Sequence, residues 1–316
     1  MVTKLPNEKI KAKPDFKKRL GRMYKNRQLY LIMIPFLLYY ILFVFRPMGG
    51  MIIAFKDYSV YKGIAGSPWV GLKHFINFFS GEYVGRTFKN TIMISLCQLA
   101  FGFPLPILFA LMLNEVKFKK YKSIVQTMSY LPYFISSVVI AGMVTLFLAP
   151  TNGVVNILLD KFGFEKIYFL TKPEYFRTIY TATNLWAGMG YSSIVYIAAL
   201  SGIDQELYEA CFIDGGGRLR QTWHITLPGI LPTIVTIFII NIGNILNVGY
   251  EMIILLYQPA TYETADTIST YVYRMGIEQA NYSLSTAVSF FNSVVGFVLV
   301  AIANYISNKV NDMGIW

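Results

Sequence analysis

Six long apolar runs constrain this chain more than anything else in it. They lie at about 28–45, 90–113, 124–148, 179–200, 231–254 and 284–306. Each has the length a helix needs to cross a bilayer, about 20 residues. Inside lipid every backbone N–H and C=O must be satisfied within the segment, so such runs are helical. The expected fold is therefore all-α and integral to the membrane, with six transmembrane helices. Composition agrees: 55% of residues are apolar and only 14% are charged. The net charge of +11 would suit a nucleic-acid binder. Here the basic residues flank apolar runs, which is the membrane pattern, and no nucleic-acid partner is expected. Cys97 and Cys211 are too few and too far apart for a disulfide framework or a zinc site. His74, alone in the first polar segment, reads as a surface residue. No phosphate-binding loop, HExxH or G-x-S-x-G occurs, so neither catalysis nor a nucleotide, cofactor or metal site is expected in this chain.

Residues 1–27 carry ten Lys/Arg against Glu8 and Asp15 and form a basic tail with no evident cleavable signal. Six spans place both termini on one side. With the N-terminus inside, the inner segments hold 17 Lys/Arg and the longer outer segments (46–90, 149–179, 247–285) hold 11. The positive-inside rule thus places both termini, including the short tail 307–316, in the cytoplasm. The six-span domain runs over 28–306. Its inner connection 200–232 breaks the rule: Arg218 and Arg220 face Asp204, Glu206, Glu209 and Asp214, a net of −2. An inner loop that is acidic points to a protein partner with basic groups.

That connection has its own design. Asp204 can cap a short helix carrying Leu207, Ala210 and Cys211 on one face. Gly215, Gly216 and Gly217 stop it. Residues 218–226 can form a second helix, which Pro228 is expected to end. Helices this short are marginal alone, so the stub is expected to rest on a partner surface.

Span two, with Gln98, Pro104 and Pro106, predicts a kinked helix. Span five carries Asn241, Asn244, Asn247 and Glu251. On a continuous helix they fall within an arc of about 120°. Amide and carboxyl groups in a bilayer must face protein or a water-filled cavity. Two readings stay open: hydrogen-bonded glue between helices, or a polar stripe along a path for a hydroxyl-rich solute, since Asn both donates and accepts. Trp186 and Tyr191 in span four, and Tyr130 and Tyr133 in span three, could stack on sugar rings. For each aromatic singly, core packing or an interfacial belt is the better reading. A secondary carrier or channel is the alternative class. It would bring internal inverted repeats or intramembrane charge pairs, and neither is evident, Glu251 being the one charge near a span.

Glu209-Ala210, then Asp214-Gly215, then nine residues to Ile225-Thr226-Leu227-Pro228, then Pro232, resembles the EAA loop of permease subunits of bacterial ABC importers. The resemblance runs over nearly the whole chain. Gly153-Val-Val-Asn156 is similar to the carbohydrate-type permeases of the maltose and glycerol-phosphate class. Residues 247–276 are similar to the lipoprotein/polysaccharide-type subgroup, which imports complex oligosaccharides. The resemblance implies the type I importer fold with a cytoplasmic coupling helix lying in a groove of an ATPase. Glu209 would pair with a basic residue there, Asp214-Gly215 would set the bend, and Ala210, Ile225, Leu227 and Pro228 would complete the coupling element. It also implies a second, different permease, two copies of a cytoplasmic ATPase that bind Mg-ATP, and an external lipoprotein binding protein that delivers the sugar. Cys211, Gly216 and Thr222 depart from the usual alanine, alanine and phenylalanine, and three glycines in a row predict a loose bend.

Overall fold

The computed structural model describes residues 25–311 and Gly314, so most of the basic N-terminal tail and part of the C-terminal tail lie outside it. The chain divides into two units, 1–52 and 53–316. Helix α1, Arg27–Phe55, supplies nearly all of the described part of the first, its last three residues falling in the second. It runs past the expected end at Arg46. The reason is a widened turn over Tyr40–Phe45, in which the Arg46 N–H bonds to the Ile41 carbonyl, immediately before Pro47. Proline removes one N–H and its ring presses on the carbonyl four residues back; a turn with one extra residue moves that carbonyl away.

The same device recurs twice in the second unit. In α3 (Val84–Asn114) a widened turn at Gln98–Gly102 precedes Pro104, where the sequence predicts a kink. In α9 (Arg218–Gly243) one at Thr222–Thr226 precedes Pro228. Pro228 therefore does not end the second stub helix. The stub runs without interruption into span five.

Short helix α2 (Lys73–Phe79) lies in the first polar segment. His74 is buried there, with Nε2 3.1 Å from the Lys56 carbonyl, which corrects its expected surface position. Span three is not one helix. α4 (Lys119–Phe134) and α5 (Ser137–Phe147) meet at 100° across the extended residues Ile135 and Ser136. Ser136 caps α5 by accepting from the Val139 N–H. Next come α6 (Val154–Lys161) and α7 (Pro173–Ser201). α7 is the central post, packing against α3, α4 and α9. Gly190 lets α4 cross it closely, because a Cβ there would overlap the Ser129 backbone.

After α7 follow α8 (Gln205–Ile213), α9, α10 (Tyr250–Leu256), α11 (Tyr262–Ala265), α12 (Ile268–Tyr273, widening over Arg274–Glu278) and α13 (Tyr282–Asn311). α1, α3, α9 and α13 are each long and apolar enough to cross a membrane. The count becomes six when the bent pairs α4–α5 and α7–α8 are each one span. Among the described residues no strand forms, apart from an isolated antiparallel bridge between Lys56 and Trp69. One apolar cluster joins Ile94, Ile140, Tyr180 and Ile253 across α3, α5, α7 and α10. A second joins Ile107, Tyr196 and Ile230 across α3, α7 and α9. Between them lies the site.

Candidate functional site

Two helix irregularities open a cavity of about 320 Å³ between α3, α7 and α9. On one side the widened turn of α3 displaces Gln98. On the other, α9 stops at Gly243, and residues 244–249 form a turn before α10. The broken segment frees backbone carbonyls inside the bundle, and neighbours satisfy them. The Ser95 hydroxyl donates to the Ile245 carbonyl. The Tyr180 hydroxyl donates to Gly249 at 3.4 Å. Within the turn, the Asn247 N–H bonds to the Asn244 carbonyl at 2.8 Å.

The cavity is lined by five carboxamides, Gln98, Asn184, Asn241, Asn244 and Asn247, with Ser95 and Tyr180; Leu99, Phe103 and Val248 supply apolar wall. No charged side chain lines it among the described residues. Asn184 and Asn244 donate to carbonyls one turn back in their own helices, Tyr180 and Ile240. Such local bonds leave the carbonyl ends of both amides available to a ligand.

The polar stripe of span five needs correction. It assumes a helix continuous to Glu251, but the helix ends at Gly243, so a rotation of 100° per residue does not carry beyond it. Asn241, Asn244 and Asn247 still meet at one cavity because the turn folds back on itself. Glu251, exposed on α10, does not line it. Nor do the aromatic candidates. Trp186 is exposed on α7. Tyr133 and Tyr191 stack on each other, 3.8 Å between centroids and 1° from parallel.

The connection 200–232 forms a compact element. The Asp204 carboxylate accepts the Glu206 N–H at 3.0 Å, capping α8. At the other end Gly215 takes φ +75°, the Gly215 N–H bonds to Phe212 at 3.0 Å and the Gly216 N–H to Cys211 at 2.8 Å. This pair of bonds is the Schellman motif. A Cβ on Gly216 would overlap the Cys211 sulfur. The two departures from alanine are therefore one packing solution, and the glycine run is a closed cap rather than a loose bend. Tyr208 Oη meets Thr226 Oγ1 at 3.0 Å, tying α8 to α9. Glu209, Ala210, Asp214, Gly215 and Pro228 are exposed, while Ile225 and Leu227 are half-buried. Phe212, Ile213, Leu219 and Trp223 are 75%, 83%, 88% and 70% exposed, an apolar surface with nothing over it among the described residues.

A third cluster was not anticipated from sequence. Asp266, fully buried, pairs with Arg274 at 3.0 Å and Arg86 at 2.8 Å. Asn90 donates to the Asp266 carbonyl at 3.0 Å and accepts from Arg177 at 2.9 Å. Burial opposes the Arg274 charge, but the hydrogen bond and charge of Asp266 outweigh it, and the guanidinium pKa is raised. The network fastens the tyrosine-rich segment 257–279 to α3 and α7. The available signal was Arg86, four residues before Asn90, which becomes visible only once α3 is started at Val84.

The model of a family described as "Binding-protein-dependent transport system inner membrane component" matches residues 102–312. The polygalacturonan/rhamnogalacturonan transport system permease protein YteP of Bacillus subtilis is 43% identical over 97% of this chain and 96% of its own. Protein LplB of the same organism is 42% identical over 94% and 93%. A solved bacterial ABC transporter involved in import of the acidic polysaccharide alginate superposes with a TM-score of 0.86 at 46% identity, covering 93% of this chain and 99% of that one. A second structure of an alginate transporter, in complex with an alginate pentasaccharide-bound periplasmic protein, matches equally well at 45% identity. These likenesses favour the importer permease over the carrier or channel alternative. The chain belongs to the family of inner membrane components of binding-protein-dependent transport systems, and is a multi-pass membrane permease rather than an enzyme.

Proposed function

We propose that this chain is one of two permease subunits of an ATP-driven importer for a complex, polysaccharide-derived oligosaccharide. The observation that carries the reading is the cavity of five carboxamides inside the membrane-spanning bundle. Carboxamides both donate and accept, as hydroxyl-rich sugars require. Neither Asn241 nor Asn247 bonds its side chain to a neighbouring helix among the described residues, which weighs against the glue reading. Relatives named for polygalacturonan, rhamnogalacturonan and alginate transport support the substrate class. At about 320 Å³ the cavity is at the low end of ligand sites, about 300–1,000 Å³. An oligosaccharide therefore draws the rest of its chamber from a second, different permease.

Both termini and the connection 200–232 face the cytoplasm. There α8 and the start of α9 dock on one of two copies of an ATPase, which binds Mg-ATP. Phe212, Ile213 and Leu219 seat the element, Glu209 meets a basic group, and the Schellman cap at Asp214-Gly215 transmits the push. An external lipoprotein binding protein delivers the sugar at the other face. The test is substrate-stimulated ATP hydrolysis by the reconstituted importer carrying Asn244→Leu or Asn247→Leu. The half-saturating sugar concentration is expected to rise about tenfold or more. An unaltered dependence on substrate would return these residues to the role of structural glue.

A further inference from the structure

Among the described residues, Gln98 is the one lining residue with a buried side-chain atom that has no hydrogen-bond partner. It lines the cavity, yet its Nε2 is buried and bonds to no atom of the described residues. A buried donor without an acceptor is costly, and native proteins keep few of them. The residue also opens the widened turn Gln98–Gly102, an irregularity that often marks a functional position in a helix. Ser95, one turn away, is already committed to the Ile245 carbonyl. Asn184 and Asn244 each commit an amino N–H to a carbonyl one turn back. The terminal torsion of a glutamine is broad, so the carboxamide can turn toward the cavity with little strain.

We propose that Gln98 is a substrate-contacting residue that sets affinity for the sugar. Its amide N–H donates to an acceptor oxygen of the sugar, hydroxyl or carboxylate, in the cavity. The inference rests on the reading of that cavity as the substrate path. In a lining without cations, an amide donor can meet either oxygen without holding it as tightly as a guanidinium would. That suits a chamber that must release what it binds.

The test uses the complete importer with its partner subunits and binding protein, in vesicles of bacterial phospholipid. Uptake is followed for a panel of oligogalacturonate, rhamnogalacturonan oligosaccharide, alginate oligosaccharide and arabino-oligosaccharide, and scored on those the wild type carries. Gln98→Leu, similar in volume but without a donor, should raise the half-saturating concentration about tenfold while maximal rate falls less than about twofold. Gln98→Asn, smaller but still a donor, should stay within about threefold of wild type. A packing role predicts the reverse order, Leu tolerated and Asn harmful, and that order overturns the proposal, as does wild-type saturation in Gln98→Leu. If Gln98→Leu fails to assemble, Gln98→Met, unbranched and without a donor, carries the test: the same rise of about tenfold in half-saturating concentration is expected, and wild-type saturation overturns the proposal. If the wild type carries none of the four sugars, the proposed function itself fails and this inference goes with it.

Discussion

Asp266 has no exposed surface and holds two guanidiniums. Removing its charge leaves Arg86 and Arg274 facing each other without a counter-ion, and breaking a buried pair in this way costs about 3–5 kcal/mol. Asp266→Asn is therefore expected to lower the thermal midpoint of the detergent-solubilised protein by several degrees, read from intrinsic fluorescence. Asp57→Asn breaks the exposed contact with Lys73 and is the control, worth no more than about 1 kcal/mol. Equal effects from the two would mean that the buried network does not anchor segment 257–279. None of this was legible in the chain. Arg86 and Asp266 are 180 positions apart, and each alone reads as a solvated charge in a polar segment. The three asparagines were legible, because a carboxamide inside an apolar run stands out against hydrocarbon. Gln98 stood in the same light but was read only as part of a kink.

At the scale of the element, the coupling stub was the most legible part of the sequence. Its cap at Asp204, its glycine stop and its acidic balance all follow from residues a few positions apart. The structure sharpens one point: Gly216 and Cys211 share a single volume. Gly216→Ala should open the cap, seen as faster proteolysis between α8 and α9 and as reduced uptake at unchanged protein level. Adding Cys211→Ala removes the sulfur from that space and should recover both only in part, because the Cys211 carbonyl, 2.8 Å from the added Cβ, remains. A double variant no better than the single one would show that backbone crowding, not the sulfur, governs the cap. Helix breaks were the illegible elements. The apolar runs of spans three and five continue past the bend at Ile135-Ser136 and past Gly243, because an apolar run reports residence in lipid and not continuity of the backbone. The three widened turns that precede prolines hide for a related reason. One extra residue shifts the apolar phase too little to see in a helix that is apolar on all sides, and of the prolines that follow, Pro104 reads as a kink and Pro228 as a stop.

For the whole molecule, membrane residence and the all-helical fold come from run length and backbone chemistry alone, and six spans return once the bent pairs are joined. The cavity does not come that way. It exists because irregularities in α3 and α9, about 150 residues apart in sequence, face each other beside α7. The central claim joins both ends of the molecule: the carboxamide cavity carries an oligosaccharide, and the exposed stub couples that movement to ATP. It is tested most directly by uptake of labelled pectic, alginate and arabinan oligosaccharides in cells lacking this chain, complemented with wild type, Glu209→Lys or Asn247→Leu. The account predicts that wild type restores energy-dependent uptake of at least one of these sugars. Glu209→Lys should reduce the maximal rate at least tenfold, and Asn247→Leu should mainly raise the half-saturating concentration. Uptake that persists without the chain, or that is indifferent to both substitutions, would contradict it.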